Sequence, residues 1–352
     1  MGIFQKEEKS KNKCKDNNNV GTNYIFNKNP NFKFKLYISK DIGFCGYNDI
    51  FEIFISHRDN KAYLVSRGSK ILVIYLLIDH KKIISLEGHR GSIYMIRYFI
   101  NYKNNNEYLI SGDSFGFVII WDLINNYNKK YIINTEYNTY VYGLLFFPYN
   151  IYNNYIITAS KGCNEKSNSK VYSFEKKELI KYIYFTNNRE IFYLLSWYNR
   201  KNNQYYIIQL SSNSIIISNL LLDMPNNYLI NEPESNHYSG YIYNKDDIDY
   251  LCCSSINGNV TIWDLYTLKI FKVINISKNE RLYNIIQWND RYCIVGASSS
   301  IIIIDLVIYK VISIIKDKNI NDIICVKKIK HPKYGETLFT LAKENMIKLW
   351  VT

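Results

Sequence analysis

The chain has 352 residues, a formal net charge of +13 and 47% hydrophobic residues, which allows one large or two medium domains with a packed core. Its longest apolar stretch, SIIIIDLVIYKVISII, is broken by Asp305 and Lys310 and does not read as a membrane span. The positive charge invites a nucleic-acid or acidic-membrane partner, but no block of five or six like charges occurs, and dispersed lysines read first as solvated surface.

In chain order, residues 1–30 come first. They carry six Lys against Glu7, Glu8 and Asp16 and lack apolar periodicity, so they read as a disordered basic, Asn-rich tail. MGIFQKEEKSKNK has no apolar signal core, and Lys6 stands where myristoylation of Gly2 needs Ser or Thr. From residue 31 to residue 352 the text is short β-type runs between Asn, Asp, Gly and Lys clusters, with no sustained helical stripe. FKFKLYIS at 32–39 is the first of these runs.

One phrase recurs. GFVIIWDL stands at 116–123, GNVTIWDL at 258–265, and the chain closes on NMIKLWVT at 345–352. Trp121 and Trp263 are 142 residues apart, and Trp263 and Trp350 are 87 apart. Both intervals are multiples of roughly 40–47 residues, the length of a four-stranded propeller blade. Degenerate copies fill the gaps, with Tyr75, Phe174, Ser218 and Ile304 read at the Trp position. That makes seven units.

The clearest copy runs LEGHRGSIYMIRYF, then NEYLISGDSFGFVIIWDL, and it resembles the WD40 repeat family. Gly88–His89 stands at that family's Gly-His pair and Trp121–Asp122 at its Trp-Asp pair; Trp263–Asp264 and Trp350 match in later copies. The resemblance implies an all-β fold, a seven-bladed β-propeller over 31–352, with residues 32–39 pairing on the last blade to close the ring. It also implies that His89, Ser111 and Trp121 form a buried hydrogen-bonded set. The family's Asp place, six residues before Trp121, holds Phe115, with Asp113 two residues earlier. In the fifth unit Asn257 fills the Asp place and Cys253 the Ser place; in the last unit Glu344 and Thr340 do. Trp197 and Trp288 match core aromatics of the first strand.

No chemistry emerges from the motifs. There is no phosphate loop or nucleophile elbow, and the five His (57, 80, 89, 237, 331) lack metal-ligand spacing. Asp246, Asp247 and Asp249 lack the Gly and Glu of a calcium loop, and SRGS at 66–69 falls short of the phosphoinositide-binding motif. The expectation is therefore a non-enzyme without cofactor or metal. Seven cysteines (Cys14, Cys45, Cys163, Cys252, Cys253, Cys293 and Cys325) show no Cys-x-x-Cys. They read as reduced thiols in an intracellular, cytoplasmic or nuclear, setting.

WD40 partners commonly touch the residue after the first aliphatic of a blade's first strand. Registering the units on that aliphatic selects Phe51, Tyr94, Tyr142, Tyr193 and Asn284, and four of these five are aromatic against 16% overall. Tyr140, Arg90 and Arg189 lie nearby, and aromatics with Arg are the hot-spot types. The expected partner-binding face is thus Phe51, Arg90, Tyr94, Tyr140, Tyr142, Arg189 and Tyr193. The role implied is a scaffold or adaptor, a monomeric propeller within a multiprotein complex. Two alternatives stay open: a subunit of an RNA-processing or chromatin assembly that contacts nucleic acid, and a peripheral membrane adaptor acting through the basic tail.

Overall fold

The structure is a computed structural model that describes residues 35–41, 51–77, 81–136, 140–148, 153–160, 169–183, 191–220, 228–277, 280–316, 322–331, 334–342 and 346–351. Residues 35–41, 213, 228–235 and 346 are described as backbone only. The tail over 1–30 lies outside these residues.

Strands account for the described regular structure, and no helix occurs there. β1 (Lys35–Asp41) is followed by β2 (Phe51–Ile55), β3 (Ala62–Gly68), β4 (Ile71–Leu76) and β5 (Lys82–Glu87). A second sheet holds β6 (Ile93–Asn101), β7 (Asn106–Asp113), β8 (Phe117–Asp122) and β9 (Asn128–Asn134). A third holds β10 (Val141–Pro148), β11 (Asn154–Ser160), β12 (Ser169–Ser173) and β13 (Leu179–Ile183). Six strands then run together: β14 (Ile191–Asn199), β15 (Gln204–Asn219), β16 (Tyr228–Lys245), β17 (Ile248–Ser255), β18 (Asn259–Asp264) and β19 (Lys269–Asn275). The last two sheets are β20 (Leu282–Gln287) to β23 (Lys310–Lys316), through β21 (Tyr292–Ala297) and β22 (Ser300–Asp305), and then β24 (Ile323–His331), β25 (Gly335–Ala342) and β26 (Met346–Val351). Every pairing is antiparallel between neighbours in sequence, except that β1 pairs antiparallel with β26. The N-terminal strand therefore does lie on the final sheet, over Lys35–Asp41; residues 32–34 of the expected strand lie outside the described residues.

In the six-stranded sheet, β15 and β16 are long because each takes two partners in succession. β15 pairs with β14 over Gln204–Ser211 and then with β16 over Ser212–Ile217. β16 passes to β17 from His237 onward. Across sheets, the innermost strands pack in one order: β2, β6, β10, β14, β16, β20, β24, and β24 against β2. This explains the burial pattern. β22, SIIIID, is buried at every residue, whereas the outer strand β19, KIFKVIN, buries only Ile274. Middle strands are covered on both faces by neighbouring sheets and read as continuous apolar runs. Most core clusters join two sheets, and one lies between the two halves of the six-stranded sheet; Trp121 packs with Leu72 and Phe54, and Trp350 with Ile294 and Ile303. A fully buried side chain of this kind contributes about 1.5–3 kcal/mol.

The recurrent phrase now has a physical reading. Gly116 (φ 81°) and Gly258 (φ 79°) occupy the left-handed region in the tight turn before β8 and β18. A Cβ at Gly258 would stand 1.7 Å from the Ser277 carbonyl oxygen. Each Asp of the phrase folds the next turn. Asp122 Oδ1 accepts from the backbone N–H groups of Ile124 and Asn125, both at 3.1 Å, and Asp264 Oδ1 from those of Tyr266 (2.8 Å) and Thr267 (3.1 Å). Asp305 does the same for Val307 and Ile308. The Leu that follows is buried, and its N–H donates back across the sheet: Leu123 to Glu107, Leu265 to Asp249, Leu306 to Arg291.

That last bond also corrects one register. Phe174 N–H donates to the Asn154 carbonyl and so stands at the position of Leu123. Tyr172, opposite Ile156, occupies the Trp position of the third unit. The insert at 161–170 hid the offset, because loop length is free where strand register is not. Tyr75, opposite Leu64, and Ile304, opposite Cys293, stand as expected.

Candidate functional site: an aromatic mouth over a basic cavity

The motif residues of the second sheet form a closed, buried network. His89 Nδ1 lies 3.1 Å from Asp113 Oδ2 and its Nε2 2.6 Å from Ser111 Oγ, while Trp121 Nε1 donates to the same Ser111 Oγ at 2.8 Å. All four residues are buried. The acid is Asp113. Phe115, which fills the family's Asp place, is 54% exposed. Asp113 Oδ1 also accepts from the N–H groups of Phe115 and Phe117. Burial pushes its carboxyl up, but the His89 and backbone hydrogen bonds outweigh this and hold it below the usual carboxylate range. The network ties the segment entering β6 to the β7–β8 turn. It is saturated within the sheet and has no free face for chemistry. Thr340 accepts from Trp350 Nε1 at 3.0 Å in the last sheet; Glu344 lies outside the described residues. In the fifth unit Cys253 replaces the hydroxyl, and Trp263 Nε1 is buried without a hydrogen-bond partner among the described residues.

The expected binding residues separate into two groups once register is read from the strands. Six inner strands shift register at the same place, near their starts, and one extra residue sits in each shift. These residues are Tyr94, Tyr142, Phe192, Tyr238, Tyr283 and Ile324. A bulge of this kind re-aims a side chain out of the pleat and recurs beside functional sites. Five of the six are aromatic, where 16% would be average. Neighbours on this rim touch: Tyr94 and Tyr142 have ring centroids 5.4 Å apart, Phe192 and Tyr238 4.7 Å, and Tyr238 and Tyr283 6.4 Å. Tyr140, 37% exposed, adds an edge contact to Tyr94 at 4.6 Å.

Tyr94, Tyr140 and Tyr142 are thus brought together as expected. Tyr193 and Asn284 stand one residue past the bulge, at the position of Met95, and line the interior. Phe51 pairs with Ser66 as Ile96 pairs with Ser111; it is a core residue, 2% exposed, that also lines the cavity beneath the rim. Arg90 is exposed, with its guanidinium 4.7 Å from the Phe117 ring centroid. Arg189 lies outside the described residues. Sequence reading missed Phe192 and Tyr283 because it took them as the reference position itself, one residue past Ile191 and Leu282, and missed Tyr238 because the fifth unit replaces the aliphatic with buried His237. It also missed Arg67, buried with its guanidinium 5.4 Å from the Tyr94 ring centroid and donating to the Ile93 carbonyl.

Beneath the rim lies a cavity of about 380 Å³ walled by β2, β6, β14, β16, β20 and β24. Arg97, Lys327 and Lys328 line it, and no carboxylate does among the described residues. Lys327 Nζ lies 2.5 Å from Glu52 Oε1, an ion pair that joins β24 to β2. Lys328 pairs with Glu336 and donates to the Trp288 carbonyl. The Arg97 guanidinium lies 5.2 Å from the Tyr193 ring centroid. The Asn284 amide bridges β16 and β24, donating to Ser239 Oγ at 2.9 Å and accepting from Val326 N at 3.0 Å. Tyr283 OH donates to Asp322 at 3.0 Å; burial first, and then this acceptor, pushes the phenol up to about 12.

No protein-family model matches the chain, and no curated protein does. Among solved structures the chain is similar to BBS1N, crystallised in complex with ARL6DN and soaked with mercury. The TM-score is 0.68 at 10% identity, covering 90% of this chain and 96% of that one. At that identity the likeness is one of fold, and with the sheets described above it makes this chain an all-β protein of β-propeller type.

Proposed function

We propose that the chain is a closed, seven-sector propeller of WD40 type that acts as a non-catalytic docking platform in a multiprotein complex. The observation that carries this reading is the rim of bulge aromatics: of six equivalent register shifts five hold aromatics, half-buried and in contact with one another in part, while the sixth holds Ile324, a core residue. Such residues are where binding energy concentrates. The seven-sector count rests on dividing β15 and β16 where they change partners; closure rests on β1 beside β26 and on the Glu52–Lys327 pair. BBS1N was solved with a protein partner, which fits such a role without specifying it. A cytoplasmic or nuclear location and a single copy per complex belong to the same proposal; contact with RNA or chromatin, and membrane attachment through the basic tail, are its rivals.

The test is affinity capture from the native cell with wild type and a Tyr94→Ala, Tyr142→Ala double variant. The expected result is loss of the co-purifying partner with nearly unchanged melting. A large fall in melting temperature would instead make the two rings core. Deleting residues 31–40 tests closure: removal of β1 leaves β26 an open edge, and the expected outcome is loss of the single cooperative transition.

A further inference from the structure

The charged side chains that line the cavity beneath the rim are all cationic. Arg97, Lys327 and Lys328 line it, and the carboxylates that pair with two of them, Glu52 and Glu336, lie outside the lining. All three cations are held in place, Lys327 by Glu52, Lys328 by Glu336 and the Trp288 carbonyl, and Arg97 by the face of Tyr193. Positioned cations in a partly enclosed cavity attract a carboxylate more strongly than the same charges in open water do. Phe192 and Tyr238 belong both to the cavity wall and to the aromatic rim, so the two features are continuous.

We infer that the cavity takes an acidic side chain from a protein partner, on a segment whose flanking apolar residues cover the aromatic rim. The inference rests on the docking-platform reading and names the chemistry of what docks. The volume, about 380 Å³, is at the small end of ligand pockets and has room for one or two side chains. A small polyanion would satisfy the cations but leave the rim uncovered. A nucleic-acid strand needs cations strung along a groove to meet successive phosphates, whereas these three line one enclosure.

The experiment uses the full chain and arrays of short peptides in which Glu or Asp is flanked by Leu and Phe. Matched peptides carry Gln or Asn instead, and polyuridylate RNA is assayed separately. The expected result is acidic peptides binding about tenfold tighter than their amide counterparts. Arg97→Gln should erase that preference, Arg97→Lys should retain part of it, and Tyr142→Ala should weaken both peptide classes alike. The acid-against-amide comparison on wild type needs no variant, so it decides the matter even if Arg97→Gln fails to fold. Equal binding of the two classes, still weakened by Tyr142→Ala, overturns the acidic pocket and leaves the platform standing. Binding of no peptide overturns the pocket. Polyuridylate binding that Arg97→Gln abolishes, with no peptide bound, overturns both readings in favour of nucleic acid.

Discussion

The second and fifth units carry nearly the same phrase, GFVIIWDL and GNVTIWDL, and are held by different means. In the second, Trp121 closes a network inside its own sheet with Ser111, His89 and Asp113. In the fifth, Trp263 Nε1 has no hydrogen-bond partner among the described residues, and the polar tie sits at the opposite end of the inner strands. There Asp249 Oδ2 accepts from Trp197 Nε1 at 3.1 Å and Tyr266 OH at 2.8 Å, and Oδ1 from Arg200 at 2.7 Å and Asn244 at 2.9 Å. Trp197 and Arg200 come from the preceding unit, so this hub fastens two units together where the His89 network fastens strands within one. Apolar packing is common to both units, which is why the phrase recurs while the polar supports differ.

Acidification should break both supports at once and has the largest expected effect. For Asp113 and for Asp249, burial raises the carboxyl, but hydrogen bonds outweigh it and the net direction is down from 3.8. A folded pKa below the unfolded one means stability that is complete above the unfolded value and lost as pH falls through the folded one. Denaturation midpoints should therefore hold near neutrality and drop steeply below about pH 4. Asp249→Ala comes next. It strands the buried Trp197 donor and removes a charged acceptor, and should cost about 3 kcal/mol in chemical denaturation.

Ser111→Ala leaves His89 Nε2 without its hydroxyl partner and Trp121 Nε1 without its acceptor and should cost about 2 kcal/mol. The fifth unit offers the reverse experiment. Cys253→Ser restores the hydroxyl at the place that Ser111 fills in the second unit and should stabilise by about 1 kcal/mol. Trp263→Phe should have the smallest effect, under about 1 kcal/mol, because no hydrogen bond of its indole is lost; Trp121→Phe, which does lose one, should cost measurably more. Equal costs for the two Trp→Phe variants would show that the second unit's network adds nothing to packing.

Much of the fold was legible as text because strand burial and turn chemistry are local. The Trp-Asp-Leu phrase announces a buried strand, an Asx-type turn and a return bond to the neighbouring strand, and those bonds are present at Asp122, Asp264 and Asp305. The pairing of a first strand with the last sheet was also legible, from a missing fourth strand at one end and a spare one at the other. The binding rim was legible only in part. Tyr94 and Tyr142 follow ordinary aliphatics and were found; Tyr238 follows buried His237 and was not.

By itself, then, the sequence determined the strand content, the repeat length and which residues turn the chain, since all three follow from side-chain period and from local backbone preference. Tertiary structure alone decided which aromatic of each inner strand leaves the pleat, which acid completes the His89 network, and that three cations from β6 and β24 meet in one cavity. Each of those depends on a one-residue register shift or on strands distant in sequence, and a single-residue shift moves a side chain from wall to rim without altering the composition that a reader of the chain can see.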